Sequence, residues 1–358
     1  MNRVDQHPHE PVLLEETVSR LVSNEDGVYL DCTIGFGGHS SKILDKLSKR
    51  GTLIGIDYDP YALEYSKKRL SKKKKNFNLF LSNYNDIKKI VDSLNINYLD
   101  GILFDLGISS YQVDSGYKGL SYKSNSSLNM RMDENGRNLK DFLNNSDEKE
   151  IADVIYKYGE ERGSRKIAKS IHNYKRKNKM NVNIDLVNAV GEVVPERYLN
   201  KTLSRVFQAF RIKVNDELTN IYNSVIDAID ILGPGSRLAV ITFHSIEDRL
   251  IKNIFRSYAK GNAEYLENIG YTTSGPLEKT LILINKKPIS PDRLEIKKNK
   301  RSRSAKLRVV ERIWFMHKKN QIGIGMTIIF FSLIFLTLKL DCNETKEDIV
   351  RLKLKKKI

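Results

Sequence analysis

A run of glycines and three acids carry the chemistry open to this chain. Leu30-Asp31-Cys32-Thr33-Ile34-Gly35-Phe36-Gly37-Gly38-His39-Ser40 leads from an apolar run through a glycine-rich turn into a helical pattern, and Leu53-Ile54-Gly55-Ile56-Asp57 follows. Gly35 and Gly37 sit where the chain turns sharply and a ligand approaches the backbone, an approach that a Cβ obstructs. A helix starting near Gly38 points free N–H groups at that ligand. Asp57 follows Gly35 by 22 positions, close to the spacing at which a carboxylate reaches ribose hydroxyls in a nucleotide-binding βαβ unit. A dinucleotide and S-adenosylmethionine both match that layout. The dinucleotide fingerprint asks for a third glycine beneath the pyrophosphate, and here His39-Ser40 stands in its place. S-adenosylmethionine has no pyrophosphate, so the departure favours it. Asp31 is placed either to receive the ammonium of that cofactor or to order the loop.

The third acid closes another apolar run, Asp100-Gly-Ile-Leu-Phe-Asp105-Leu-Gly-Ile-Ser-Ser110-Tyr-Gln112. An acceptor at such a turn holds an exocyclic N–H while the nitrogen lone pair faces a methyl sulfonium. In-line displacement of that kind needs position and a destination for the departing proton more than a strong base. No cysteine stands near the turn, which argues against covalent attack on a pyrimidine carbon. His244, in Thr242-Phe-His-Ser-Ile-Glu-Asp-Arg249, is either a general base or a residue that orders its loop by hydrogen bonding. Arg301, Arg303, Lys306 and Arg308 alternate with serines and apolar residues, a composition suited to phosphate contacts.

Short apolar runs supply the strands that must position these groups: Gly27–Asp31, Thr52–Asp57, Phe77–Leu81, Leu99–Asp105, Ser236–Phe243 and Lys279–Ile284, with helices near 39–49, 60–71, 85–94 and 214–231. This alternation predicts an α/β doubly wound sheet. Strand patterning stops after Asp105. Residues 115–205 read as an inserted helical domain with basic stretches such as Arg165-Lys166 and Lys175-Arg176-Lys177. An insert after a strand's carboxyl end overhangs the ligand crevice and is a candidate substrate-binding unit. The expected division is residues 1–114 and 206–312 for the sheet domain, the second part ending in a basic tail at 297–312, with the insert between.

The composition is that of a globular protein, 40% hydrophobic and 29% charged, but the net charge is +17. Such an excess suits a nucleic-acid or anionic-membrane partner, as does the plain alternative of a lysine-rich proteome. Cys32 and Cys342 have neither disulfide nor metal-site spacing, and no metal is expected. Met1 to Glu10 lacks the apolar core of a signal peptide, so the catalytic part is expected in the cytoplasm. Residues 322–338 run 17 positions without a charge, the low end of a membrane span.

Taken together, His9-Glu-Pro-Val-Leu-Leu14, the Gly35–Ser40 loop, Asp105-Leu-Gly-Ile-Ser-Ser110, Leu128-Asn-Met-Arg-Met-Asp133, Phe243-His-Ser-Ile-Glu-Asp248 and Arg303-Ser-Ala-Lys-Leu-Arg308 closely resemble the bacterial 16S ribosomal RNA cytosine-N4 methyltransferases, the RsmH or MraW family. The likeness covers about residues 7–312. It implies a class I Rossmann-like methyltransferase fold with an inserted helical domain, S-adenosylmethionine as methyl donor, and a cytosine N4 in the decoding region of the small ribosomal subunit as acceptor. It also implies cofactor contacts at Gly37, Gly38, His39, Asp57, Tyr84, Asp105 and Gln112. Three positions depart from the family's habit: Tyr84 replaces a frequent Phe, Tyr111 a frequent Pro and Asn129 a usual Asp. Residues 313–358 exceed the resemblance and look like a fused segment whose span at 322–338 would tether the enzyme to the inner face of the membrane. A homodimer stays open. So do two rival readings: a tethered RNA-binding or cell-division scaffold without catalysis, and a methyltransferase of another nucleic-acid amine.

Overall fold

The computed structural model describes residues 10–107, 117–132, 136–273 and 275–313. Seven strands form one sheet: β1 (Val28–Asp31), β2 (Thr52–Asp57), β3 (Asn76–Leu81), β4 (Leu99–Asp105), β5 (Leu232–Thr242), β6 (Leu281–Leu283) and β7 (Lys306–Arg312). Their order is β3-β2-β1-β4-β5-β7-β6. The first five run parallel, and β7 lies antiparallel between β5 and β6. The order reverses between β1 and β4, where Leu30 pairs with Ile102 and Asp31 with Leu103. Ligands of doubly wound sheets settle in the crevice at this switch.

Both faces of the central strands are covered, so these strands read as continuous apolar runs rather than alternating ones. On one face Leu30, Ile54, Phe104 and Val240 pack against the helices Ile87–Ser93, Glu217–Ile231 and Ser245–Lys260. On the other, Tyr29, Leu53, Leu103 and Ala239 meet the helices Leu14–Leu21 and Gly38–Lys46. Two segments far apart in sequence meet here as well: the Leu13 N–H donates to Glu295 Oε1 at 2.8 Å, across 282 positions.

Between β4 and β5 the chain forms the helices Leu139–Asn145, Glu148–Gly159, Ser164–Arg176, Asn183–Gly191 and Glu196–Asn215. They enclose a separate core that includes Leu139, Ile155, Ile171, Leu186, Val206 and Phe210. That core runs past residue 205, because the Glu196–Asn215 helix keeps its apolar period until Asp216. There the backbone turns left-handed (φ 47°) and its N–H caps Ile212 O. The next helix therefore starts at Glu217 rather than 214.

Three expectations about the second half change. β5 begins at Leu232, and the last expected strand shrinks from 279–284 to Leu281–Leu283. The supposed basic tail is β7, whose apolar Leu307, Val309 and Val310 are buried. Its charges hid a strand inside the sheet. The apolar run 322–338 and Cys342 lie outside the described residues. Among the described residues no helix is long and apolar enough to cross a membrane.

Candidate active site

A cavity of about 460 Å³ opens over the carboxyl ends of β1, β2, β4 and β5, lined among others by Gly38, His39, Asp57, Tyr84, Asp105 and His244. Of the expected cofactor contacts, Gln112 lies outside the described residues, Gly38, His39, Asp57, Tyr84 and Asp105 line the cavity, and Gly37 stands between the lining residues Phe36 and Gly38.

The turn after β1 forms its wall. Gly35 and Gly37 adopt φ of 50° and 72°, the left-handed region that an L side chain enters at a cost. Gly37 caps the Gly38–Lys46 helix. A Cβ on Gly38 would stand 2.9 Å from Pro11 Cγ, so the helix start and the N-terminal segment are packed without room for a side chain. The Gly35 N–H donates to Asp57 Oδ2 at 2.8 Å and the Asp59 N–H to Asp57 Oδ1 at 2.9 Å. Burial pushes the Asp57 carboxyl up to about 6 against the pull of these two donors. Each oxygen keeps a second acceptor direction for a ribose hydroxyl. Asp31, by contrast, lies beneath the turn: its Oδ2 accepts from Ser40 Oγ at 2.7 Å and its Oδ1 from the Thr33 N–H at 3.2 Å. It orders the loop.

Asp105 ends β4, its N–H donating to Thr33 Oγ1 at 2.7 Å. Its Oδ2 faces His39 Nδ1 across 3.4 Å. Its Oδ1 is buried and has no hydrogen-bond partner among the described residues. A buried polar atom without a partner is costly, and the residue that carries it is among those lining the cavity. Tyr84 presents its ring edge-on to Phe104, with centroids 6.1 Å apart, and burial raises its hydroxyl above the usual range.

His244 is the N-cap of the Ser245–Lys260 helix. Its Nδ1 accepts from the Glu247 N–H at 3.3 Å, while Glu247 Oε2 accepts from the Phe243 N–H at 2.8 Å. With Nδ1 engaged as an acceptor, Nε2 carries the hydrogen, 2.9 Å from Glu247 Oε1. The capping contacts are those of a loop-ordering histidine. Glu217, His244 and Glu247 bring ligand atoms within 4.8 Å of one another. Arg211 holds both Glu217 oxygens, at 2.8 and 2.9 Å, and supplies the cluster's counter-charge. This buried Arg211–Glu217 pair escaped sequence reasoning: the residues lie on two helices joined at Asp216, and nothing in their spacing marks them as partners.

The four expected RNA contacts separate. Arg301 lines the cavity and Arg303 is exposed. Arg308 is 7% exposed, with Nε and one terminal nitrogen on the two oxygens of Asp248 at 2.7 and 3.2 Å. Lys306 Nζ reaches the same carboxylate at 3.1 Å. Arg308 is thus an internal ion-pair partner and not a phosphate contact, because strand pairing with β5 turns it toward the Ser245–Lys260 helix.

A mostly parallel sheet with an antiparallel penultimate strand, a glycine turn after β1, an acid at the end of β2 and another at the end of β4 define a class I S-adenosylmethionine-dependent methyltransferase. Residues 6–313 match the model of the MraW methylase family, and the chain belongs to that family. It is 41% identical over 315 residues to a ribosomal RNA small subunit methyltransferase H from Fusobacterium nucleatum, covering 88% of this chain and 100% of that one. Proteins of the same description from Brevibacillus brevis and Caldicellulosiruptor saccharolyticus are each 42% identical, covering 85% and 86% of this chain and 98% and 100% of theirs.

Proposed function

We propose that this enzyme methylates the exocyclic N4 amine of a cytosine in the RNA of the small ribosomal subunit. The observation that carries the reading is Asp105, which lines the same cavity as the glycine turn and keeps Oδ1 buried without a partner among the described residues. The residues present fit the donor. Gly37 and Gly38 leave backbone free to approach its amino-acid end, Asp57 can accept from its ribose, and Tyr84 offers a ring to its adenine. Gln112 joins this set by resemblance. When bound, S-adenosylmethionine supplies an electrophilic methyl on a positively charged sulfur. Asp105 then holds the target amine and orients its lone pair, work that depends on placement more than on basicity.

The helical unit between β4 and β5 serves as the substrate-binding part in this reading. Its Ser164–Arg176 helix buries Ile167, Ala168 and Ile171 and exposes Arg165, Lys166, Lys169 and Arg176. No acid stands between Glu161 and Asp185. With Arg301 and Arg303, this surface suits a phosphate backbone. Intact Gly37, Gly38, Asp57 and Asp105 weigh against a scaffold that has lost catalysis. The uncharged run 322–338 suits a membrane tether by its length; a full-length protein wholly soluble without detergent would dismiss it.

Mass mapping of small-subunit RNA from a strain lacking the gene tests the function. The expected result is loss of one N4-methylated cytosine. An unchanged map, or loss of a methyl from another base, refutes it.

A further inference from the structure

His39 is 5% exposed, and its two ring nitrogens meet different partners. Nε2 lies 3.0 Å from Val12 O. A carbonyl only accepts, so Nε2 carries a hydrogen. Nδ1 then faces Asp105 Oδ2 at 3.4 Å. In a ring with a single hydrogen, that lone pair would confront a carboxylate, placing two acceptors together in a buried site. The contact is favourable only with a proton between them. The charged groups facing the ring are Asp105 from β4 and Asp31 from β1, and the N-terminal segment contributes the Val12 carbonyl. Burial pulls the imidazole down, but the two carboxylates and the carbonyl outweigh it and leave it raised.

We propose that His39 and Asp105 form a proton-sharing couple, with His39 an imidazolium that pins Asp105 Oδ2 and thereby presents the unpartnered Oδ1 to the target amine. The proposal rests on the cavity being a methyl-transfer site. As the amine lone pair forms the new N–C bond, the C–S bonding pair stays on sulfur. The nitrogen sheds one proton to Asp105 Oδ1, which passes it to water as product leaves. His39 does not touch the reacting atoms; it is a positioning residue that acts through Asp105. The couple also ties the acid to Val12, so the N-terminal segment helps to set its orientation.

Nitrogen-detected NMR of the imidazoles in the full chain, without RNA or donor, tests the couple. The His39 signal is assigned by its loss in His39→Asn. Both ring nitrogens are expected to be protonated at pH 7, and Nδ1 to lose its hydrogen in Asp105→Asn. A wild-type ring with bare Nδ1 at pH 7 overturns the proposal. On small subunits from a strain lacking the gene, His39→Gln should lower kcat roughly 10- to 100-fold and displace the acid limb of the pH profile. An unchanged kcat and profile also overturn it. Should the wild type methylate no subunit, the functional reading fails, and ring protonation still decides the couple.

Discussion

Asp248, on the Ser245–Lys260 helix, holds the guanidinium of Arg308, on β7, through both of its oxygens, and this pair locks the antiparallel strand to the parallel half of the fold. Burial alone would raise the Asp248 carboxyl, but Arg308 and Lys306 outweigh it and hold it below its ordinary value. The stabilisation is therefore present above the ordinary carboxylate range and is lost as pH falls through the lowered value.

Removing one partner of this pair should be costly. Asp248→Ala strands a buried guanidinium and should destabilise the protein by about 3 kcal/mol, read from urea denaturation. Arg303→Ala, at an exposed site, should stay within about 0.5 kcal/mol and weaken RNA binding instead. Equal stability losses in the two variants would contradict the assignment of Arg308 to the interior.

Donor affinity should depend on pH through Asp57. Its carboxyl is pushed up to about 6 by burial, so near and below that pH it carries a proton and accepts poorly from a ribose hydroxyl. Binding favours the ionised form. Calorimetry should show S-adenosylmethionine affinity falling as pH drops through about 6, with proton release on binding there. Asp57→Asn should bind more weakly and lose this dependence. The same shift acts on folding with the opposite sign: the native state favours the protonated acid, so this group's contribution is full below the unfolded value and is lost as pH rises through about 6.

The glycine turn should resist even a methyl group. Gly37→Ala must hold φ near 72° beside Ser66 Oγ, at a cost of roughly 1–2 kcal/mol. Gly38→Ala must displace Pro11, which stands 2.9 Å from the added carbon. Displacing Pro11 disturbs neighbouring Val12 and its bond to His39. Thermal denaturation should register the first change, and a rise of about tenfold in donor Kd, equal to about 1.4 kcal/mol, the second.

RNA binding should show the basic helix as a salt effect. Replacing Arg165, Lys166 and Lys169 together with Ala should lower the slope of log affinity against log salt by about 2–3, at roughly 0.7–0.9 per phosphate contact. Donor affinity should not move. An unchanged salt slope would remove this helix from the RNA interface.

The parallel half was legible because its strands are buried on both faces and punctuated by acids and glycines: β2 and the Pro60–Ser71 helix fall where periodicity predicts them. β7 was not, because Lys306, Arg308, Glu311 and Arg312 give it the look of a solvated segment. The partner that makes Arg308 an inward residue lies 60 positions away. The site divides in the same way. Gly37, Gly38 and Asp57 announce themselves by local spacing, whereas the bond from His39 to Val12, the approach of His39 to Asp105 and the Arg211–Glu217 pair exist only once distant segments meet. His244 reads from sequence as either a general base or a loop-ordering residue, and its capping contact with Glu247 becomes visible only in the atomic structure.

The bond between Leu13 and Glu295 bears on how the enzyme comes into being. Val12, which orients His39, is among the first residues made, and Glu295, which holds Leu13, is among the last of the family-matched region. At about 5–20 residues per second, the early segment waits on the order of tens of seconds for its anchor. β5 meanwhile has an open edge until β7 emerges to cover it. A nascent chain thus gains this anchor for Leu13 only after Glu295 is made, and a copy terminated before that point would lack both the anchor and β7.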